Sequence, residues 1–440
     1  MQQTSRGDCQ RPHGDAFKKK RPQEGLTERL CEIESETGRI SVHLYGEAFS
    51  SLRPKERIWE VSLADKITGL ASDMSFEKAT GYANSFLHRS GKNALCKKTI
   101  EEFVERTGRK IDTAYAQFTD SVLSAHDIDT DTGIPDADSK ISEKSVNPSK
   151  AESSTTEEVE KVASRYNEER GERDRIPECL MTVLPEGKTK YCVYIYVDDV
   201  LAKHQKESRS PGSRRTTKFV STTVISIQHE HRRYNIAADG MQAAFKRLMA
   251  FLLENRLMED KQLIFITDGA TEIKEYVQRY FGFRPYTLYL DWHHLQKKCY
   301  QLMSSALKGG KKLKDEKDRI ERELYGILWA GNVKGALDYI ADIDTKHVKS
   351  QEAINSLTKY ITNKQENIPC YAIRKGLGLP NSSNPVEKAN DLIVAHRQKG
   401  KGMAWSKEGS HALAAITVAG INNERQDILM GLKPRFDFAA

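Results

Sequence analysis

The chain has 440 residues, 38% of them hydrophobic and 30% charged, with a formal net charge of +7. That length predicts two or three domains rather than one core. No apolar run approaches the roughly 18 residues of a membrane helix, so a membrane-spanning protein is not expected.

The opening stretch MQQTSRGDCQRPHGDAFKKKRPQEG has no apolar segment of the secretory type. Residues 1–45 read as a basic flexible arm. Seven cysteines (Cys9, Cys31, Cys96, Cys179, Cys192, Cys299, Cys370) are scattered without a CxxC pair. This argues against a disulfide framework and against a structural zinc site and fits a reducing cytosol.

Residues 46–115 read as consecutive short helices. Ser75 can cap a helix carrying Phe76, Ala79, Ala83, Phe86 and Leu87 at helical spacing. Gly91 supplies a turn, and a second helix is predicted from about Ala94 to Gly108. Lys97, Lys98 and Arg106 lie on its predicted exposed side. The outline fits a DNA-binding helix-turn-helix, or equally an ordinary αα-hairpin with solvated lysines.

Residues 116–175 are predicted to be an acidic linker. From Ser121 to Glu160 there are ten acids, three lysines and no aromatic residue, a net of −7 that leaves the remainder near +14. Such a stretch cannot bury enough apolar area to offset its chain entropy. The basic remainder suits a polyanion, with nucleic acid first.

Downstream, a buried strand from Cys192 to Val197 runs into Asp198 and Asp199. A second strand follows from Thr216 and a third from Arg232. Then come a helix from Gly240, a strand from Gln262 ending at Asp268, a helix, a strand from Tyr286 ending at Asp291, and another helix. This order predicts an α/β mixed sheet with packed helices. Acids at strand carboxyl ends sit where such sheets bind ligands. Alternation puts Asp198 and Asp199 on opposite faces; we favour Asp198 as the functional one and retain Asp199 as the alternative.

The element order, the acids at 198 and 268, and the segment PVEKANDLI followed by HRQKGKGMAWSKEG resemble bacterial insertion-sequence DDE transposases. The resemblance, to the ISLre type and the wider Mutator-like group, covers roughly residues 191–423. It implies a ribonuclease H-like catalytic domain in two parts, 176–306 and 381–440. Between them, residues 307–380 would form an all-helical insertion; 119 residues separate Asp268 from Glu387.

The resemblance further implies that Asp198, Asp268 and Glu387 hold two Mg²⁺ (or Mn²⁺) ions for DNA strand cleavage and strand transfer, with no nucleotide cofactor. Asp291 and His294 fall on the family's C-x-x-H positions as auxiliary residues. A transition-metal site using Asp291, His293 and His294 would need a further ligand that is not evident. Lys203, Lys206, Arg209, Lys297, Lys298, Arg397, Lys399 and Lys401 follow the acids and are expected to meet DNA phosphates. Trp405 reads as a stacking platform or as core. The implied partners are double-stranded transposon ends and target DNA, held by a homo-oligomer in the bacterial cytosol at the nucleoid. A domesticated DNA-binding protein without catalysis, or a ribonuclease H-like nuclease, are the alternatives.

Overall fold

The computed structural model describes residues 28–35, 38–45, 58–59, 61–136, 155–181, 191–205, 218–310 and 313–438. Lys206 and Arg209 lie outside them. The first elements are strands β1 (Glu28–Ser35), β2 (Gly38–Tyr45) and β3 (Ile58–Trp59). β1 and β2 pair antiparallel and β3 joins β1 in parallel. Strands therefore occupy residues 28–35 and 38–45 of the stretch expected as a flexible arm, and residues 1–27 of it lie outside the described residues. Ile40, Val42 and Leu44 alternate with polar residues, the period of a strand.

Helices α1 (Val61–Asp73), α2 (Phe76–Phe86) and α3 (Lys97–Ala125) follow. Ser75 caps α2 by accepting the Lys78 N–H at 3.3 Å, and Gly91 turns the chain with φ +57°. The second helix begins later than expected and does not stop at Gly108. It runs 29 residues, through the predicted boundary at 115 and into the predicted linker. Its buried face (Ile100, Val104, Ile111, Tyr115, Leu123) joins the same core as the central sheet. The predicted linker also holds helix α4 (Thr156–Glu168), closed by a capping box between Thr155 and Glu158.

The five-stranded sheet is built from β4 (Cys192–Lys203), β5 (Phe219–His229), β6 (Arg232–Ala238), β7 (Gln262–Thr267) and β8 (Tyr286–Leu290). Its order is β6-β5-β4-β7-β8. β5 is antiparallel to β4 and β6, whereas β4, β7 and β8 run parallel. Every residue from Cys192 to Val197 is buried, because both faces of the sheet are covered. Between β6 and β7 lie α5 (Met241–Glu254) and the short α6 (Leu257–Asp260); α7 (Thr271–Phe281) links β7 to β8.

After β8 come α8 (Trp292–Ala306), α9 (Lys314–Trp329), α10 (Val333–Ala341), α11 (Gln351–Lys364) and α12 (Tyr371–Gly376). These helices share a core of their own, including Leu295, Met303, Leu324, Leu328, Leu357 and Ile361, and α8 belongs to it although it precedes the insertion expected over 307–380. Three side chains tie this region to the sheet ends. Lys364 Nζ donates to Gly269 O (2.5 Å), Asn367 Nδ2 to Leu288 O (2.9 Å) and Tyr371 Oη to Leu290 O (2.8 Å).

The chain returns through α13 (Asn384–Asn390), a π-helical turn over Asp391–Ala395 and α14 (His396–Gln398), then closes with α15 (Lys407–Ile421) and α16 (Arg425–Leu429). α13 lies against β4 and β5, and α15 packs on α3. No helix among the described residues is long and apolar enough to cross a membrane.

Candidate active site

β4 does not end at Val197. It continues to Lys203 because β5 pairs with it throughout, Lys203 opposite Phe219. Beyond Val197 the burial alternates: Val200 and Ala202 inward, Asp199, Leu201 and Lys203 outward. Asp198 sits where β4 loses its other neighbour, since β7 stops at Thr267.

Register brings the acids together. Tyr196 pairs with Ile266, so two residues further along these parallel strands Asp198 comes level with Asp268. Thr267 pairs with Leu290, which puts Asp291 level with Asp268 on the other side. Three neighbouring parallel strands thus each deliver an aspartate at one end of the sheet.

Their environments differ. Asp198 is half-buried; Oδ1 accepts the Asp199 N–H (2.9 Å) and Oδ2 accepts Asn390 Nδ2 (2.7 Å). Burial pushes its carboxyl up to about 6. Repulsion from Asp268 and Asp199 adds to the rise, while the Asp199 N–H and His294 oppose it. Asp199 is exposed and accepts Thr223 Oγ1 (2.5 Å) across the β4–β5 ladder.

Asp268 begins a tight turn, its Oδ1 accepting the Ala270 N–H (2.8 Å). Gly269 has φ +83°, and a Cβ there would lie 2.6 Å from Leu290 Cδ1, so only glycine lets the turn close on the β8 end.

Asp291 is fully buried and its carboxylate is consumed by the fold. It caps α8 by accepting the His294 N–H (2.7 Å), lies 3.2 Å from His294 Nδ1, and accepts the Ser383 N–H just ahead of α13. Burial would raise this carboxyl, but the hydrogen bonds from His294 and Ser383 outweigh it and hold it down at about 2. The residue joins the insertion to α13. Asp291→Asn keeps the cap but weakens the charged hydrogen bonds, and is expected to cost about 2 kcal/mol at pH 7. A depressed carboxyl contributes stability above its unfolded value, so the deficit should fade as pH falls from 3.8 to about 2. Urea midpoints of parent and variant across that range test this.

His294 faces the acids. Its hydrogen bond to Asp291 is the largest effect raising the imidazole above its usual range; the charges of Asp291, Asp268 and Glu387 add to it, and burial opposes it. Glu387 is exposed one turn before Asn390 on α13, with Pro385 in the first turn. Residues three apart share a helix face, so Glu387 lies on the side of α13 from which Asn390 reaches Asp198. Asn390 was missed as a site residue. Its signal was the asparagine three positions after Glu387 in VEKAN.

Among the described residues, no three His, Cys, Asp or Glu side chains are gathered closely enough to hold a metal ion as they stand. The donor chemistry nevertheless fits a hard divalent cation. All three candidates are carboxylates, and Asp198 and Asp268 repel one another in a desolvated setting. Glu387 is exposed and without an ion-pair partner among the described residues, and its charge acts on His294.

The basic residues divide. Lys97, Lys98 and Arg106 are exposed on α3, Lys203 on β4, Lys297 and Lys298 on α8, and Lys399 and Lys401 in the loop after α14. That loop lies beside the far end of β4, where Trp405 N–H donates to Lys203 O (2.9 Å). Arg397 is corrected. It is 4% exposed, its Nε donates to Ala71 O (2.9 Å), and its guanidinium sits 5.0 Å from the Phe76 ring and 4.8 Å from the Trp405 ring. It anchors the α1–α2 corner and is not available to phosphate. Trp405 is part of that packing, its Nε1 donating to Gln398 O (3.0 Å).

No curated protein matches the sequence. Among solved structures, the Drosophila P element transposase strand transfer complex is similar at a TM-score of 0.34 and 8% identity, over 86% of this chain and 96% of that one. Residues 212–429, just under half of the chain and including Asp268 and Glu387, match the family described as Uncharacterised protein family (UPF0236).

Proposed function

We propose that this chain is a metal-dependent DNA transposase with a ribonuclease H-like catalytic domain, of the insertion-sequence type its motifs resemble. The observation that carries this reading is the level placement of Asp198 and Asp268 on adjacent parallel strands, with the helix bearing Glu387 and Asn390 against the same strand. The mixed sheet with its antiparallel second strand and the separate helical insertion support it.

Asp198, Asp268 and Glu387 would hold Mg²⁺ or Mn²⁺. When bound, such ions activate the attacking oxygen and stabilise the leaving one in an in-line displacement at phosphorus. Asn390 fixes the Asp198 carboxylate, and Asp291 fixes the His294 ring beside Asp268 and Glu387. Exposed Lys203, Lys399 and Lys401 offer sequence-independent phosphate contacts. In the first step water adds to a phosphorus and the P–O3′ bond breaks, freeing a 3′-OH. In the second, that hydroxyl attacks a target phosphodiester and releases another 3′-OH. One ester replaces another, so no nucleotide cofactor is needed. The DNA partners would be the element's ends and a target, held by a homo-oligomer in the cytosol.

Purified protein, the DNA flanking its own gene and Mg²⁺ or Mn²⁺ should yield joined products. Asp268→Asn should lose them while retaining DNA binding in a gel-shift assay. Cleavage without joining would instead indicate a nuclease, and binding without cleavage a non-catalytic DNA-binding protein.

A further inference from the structure

A cavity lies away from the acids, where α4 docks on α9 and α12. It is open to solvent and offers about 680 Å³, within the roughly 300–1,000 Å³ of small-molecule sites. Trp329 and Tyr166 supply aromatic surface, and Lys161, Arg165, Arg170 and Lys375 surround them. Trp329 is rigidly held: Tyr371 stacks on it (5.7 Å, 20°) and Trp292 abuts it edge-on (4.7 Å, 74°). It remains only partly buried and lines the cavity.

Charge points the same way. Four cations against Glu158 and Glu169 leave the lining net positive. Lys161, Arg165 and Lys375 have no ion-pair partner among the described residues, and all three are exposed. Two cations lie over rings instead, Arg170 at 5.0 Å from Tyr166 and Lys375 at 5.8 Å from Trp329. Aromatic surface ringed by uncompensated cations is complementary to a flat π-system that carries negative charge.

We propose that this cavity binds one nucleotide unit, the base against Trp329 or Tyr166 and the phosphate among Arg165, Lys161 and Lys375. Its chemistry could come from a free nucleotide or from an unpaired nucleotide of a DNA strand. The inference does not depend on the three-acid reading, since none of those acids lines the cavity.

The full chain is titrated with AMP and ATP by calorimetry, and with a short fluorescein-labelled oligothymidylate by anisotropy. The comparison is the double variant Arg165→Glu, Lys375→Glu, whose exposed positions leave the fold intact as checked by circular dichroism. Trp329→Leu and Trp329→Phe follow the ring. We expect the double variant and Trp329→Leu to bind about tenfold more weakly or worse, and Trp329→Phe to retain much of the affinity. Binding of AMP or ATP identifies a free nucleotide as the occupant; binding of the single strand alone identifies a nucleotide of DNA. Failure of all probes to bind, or binding unchanged by the double variant, overturns the proposal. Loss of cleavage in Asp268→Asn would move neither result, so the two readings fail separately.

Discussion

Asp198→Asn is expected to give a protein that resists heat better than its parent in the absence of metal and has lost DNA cleavage. The parent carboxyl is raised to about 6 from 3.8 by burial first and by Asp268 next. An acid raised on folding makes the native state bind more protons than the unfolded chain. Stability therefore falls as pH rises from 3.8 to about 6, and the full penalty applies above that. A neutral amide removes the penalty, a gain on the order of 1–2 kcal/mol after allowing for partial solvent access.

The neighbourhood can accept the amide. Its oxygen can still take the Asp199 N–H. Asn390 has to turn over, and the oxygen it then presents is one that is buried without a partner in the parent. The melting advantage should be full at pH 8 and vanish below pH 4. An advantage that persists at pH 3.5, or none at pH 8, contradicts the electrostatic account. Mg²⁺ should stabilise the parent by ligand linkage and leave the variant unmoved. Cleavage should drop by more than about 100-fold, beyond what outer-shell changes at metal sites cost. Asp199→Asn is the control. Its carboxylate points to the other face and meets Thr223, so activity should stay within a few-fold of the parent. The reverse outcome would transfer the first position to Asp199.

How much of this was readable from the chain follows from which forces are local. The five strands and the acids at 198, 268 and 291 were legible because hydrophobic runs and strand alternation report burial directly. The helices after β8 were legible for the same reason. The extent of β4 was not: past Val197 its pattern is set by pairing with β5, whose partner residues lie some twenty positions downstream. Arg397 looked like a phosphate contact because nothing local distinguishes a solvated arginine from one held between Phe76 and Trp405. Asp291 is the strand-end acid the pattern indicated, but nothing local tells that its carboxylate is spent on Ser383, 92 residues away in sequence. Both contacts join residues distant in the chain.

Gly108 exposes the same limit and sets the largest structural effect. As a local signal it marked the end of a helix; in the fold it is buried mid-helix where α3 crosses α15. A Cβ there would lie 2.5 Å from Ala412 Cα and Cβ and would collide with the Ala412 carbonyl oxygen. Two helix backbones meet at this point, and no side-chain rotation relieves the clash. Gly108→Val is expected to cost about 3 kcal/mol or more, the upper range of overpacking, or to prevent folding. Gly81 on α2 provides the contrast: it is exposed, with nothing within 4 Å of an added Cβ. Gly81→Ala should stabilise by about 0.5–1 kcal/mol, because it only restricts the unfolded chain and favours helix.

The form of the Gly108→Val transition discriminates between two architectures. The helix carrying Gly108 is bonded to the sheet-bearing body beyond the crossing, through Tyr115 Oη to Glu424 (2.7 Å) and Asp112 to Arg247 (2.6 Å). If α1–α3 belong to that body, urea should unfold them together with the β4–β8 sheet, and the variant should shift the whole transition. An N-terminal unit melting alone, with the sheet's midpoint unchanged, would restore the separate DNA-binding domain expected from the sequence. The shared core from Leu63 to Ile428 favours the single transition.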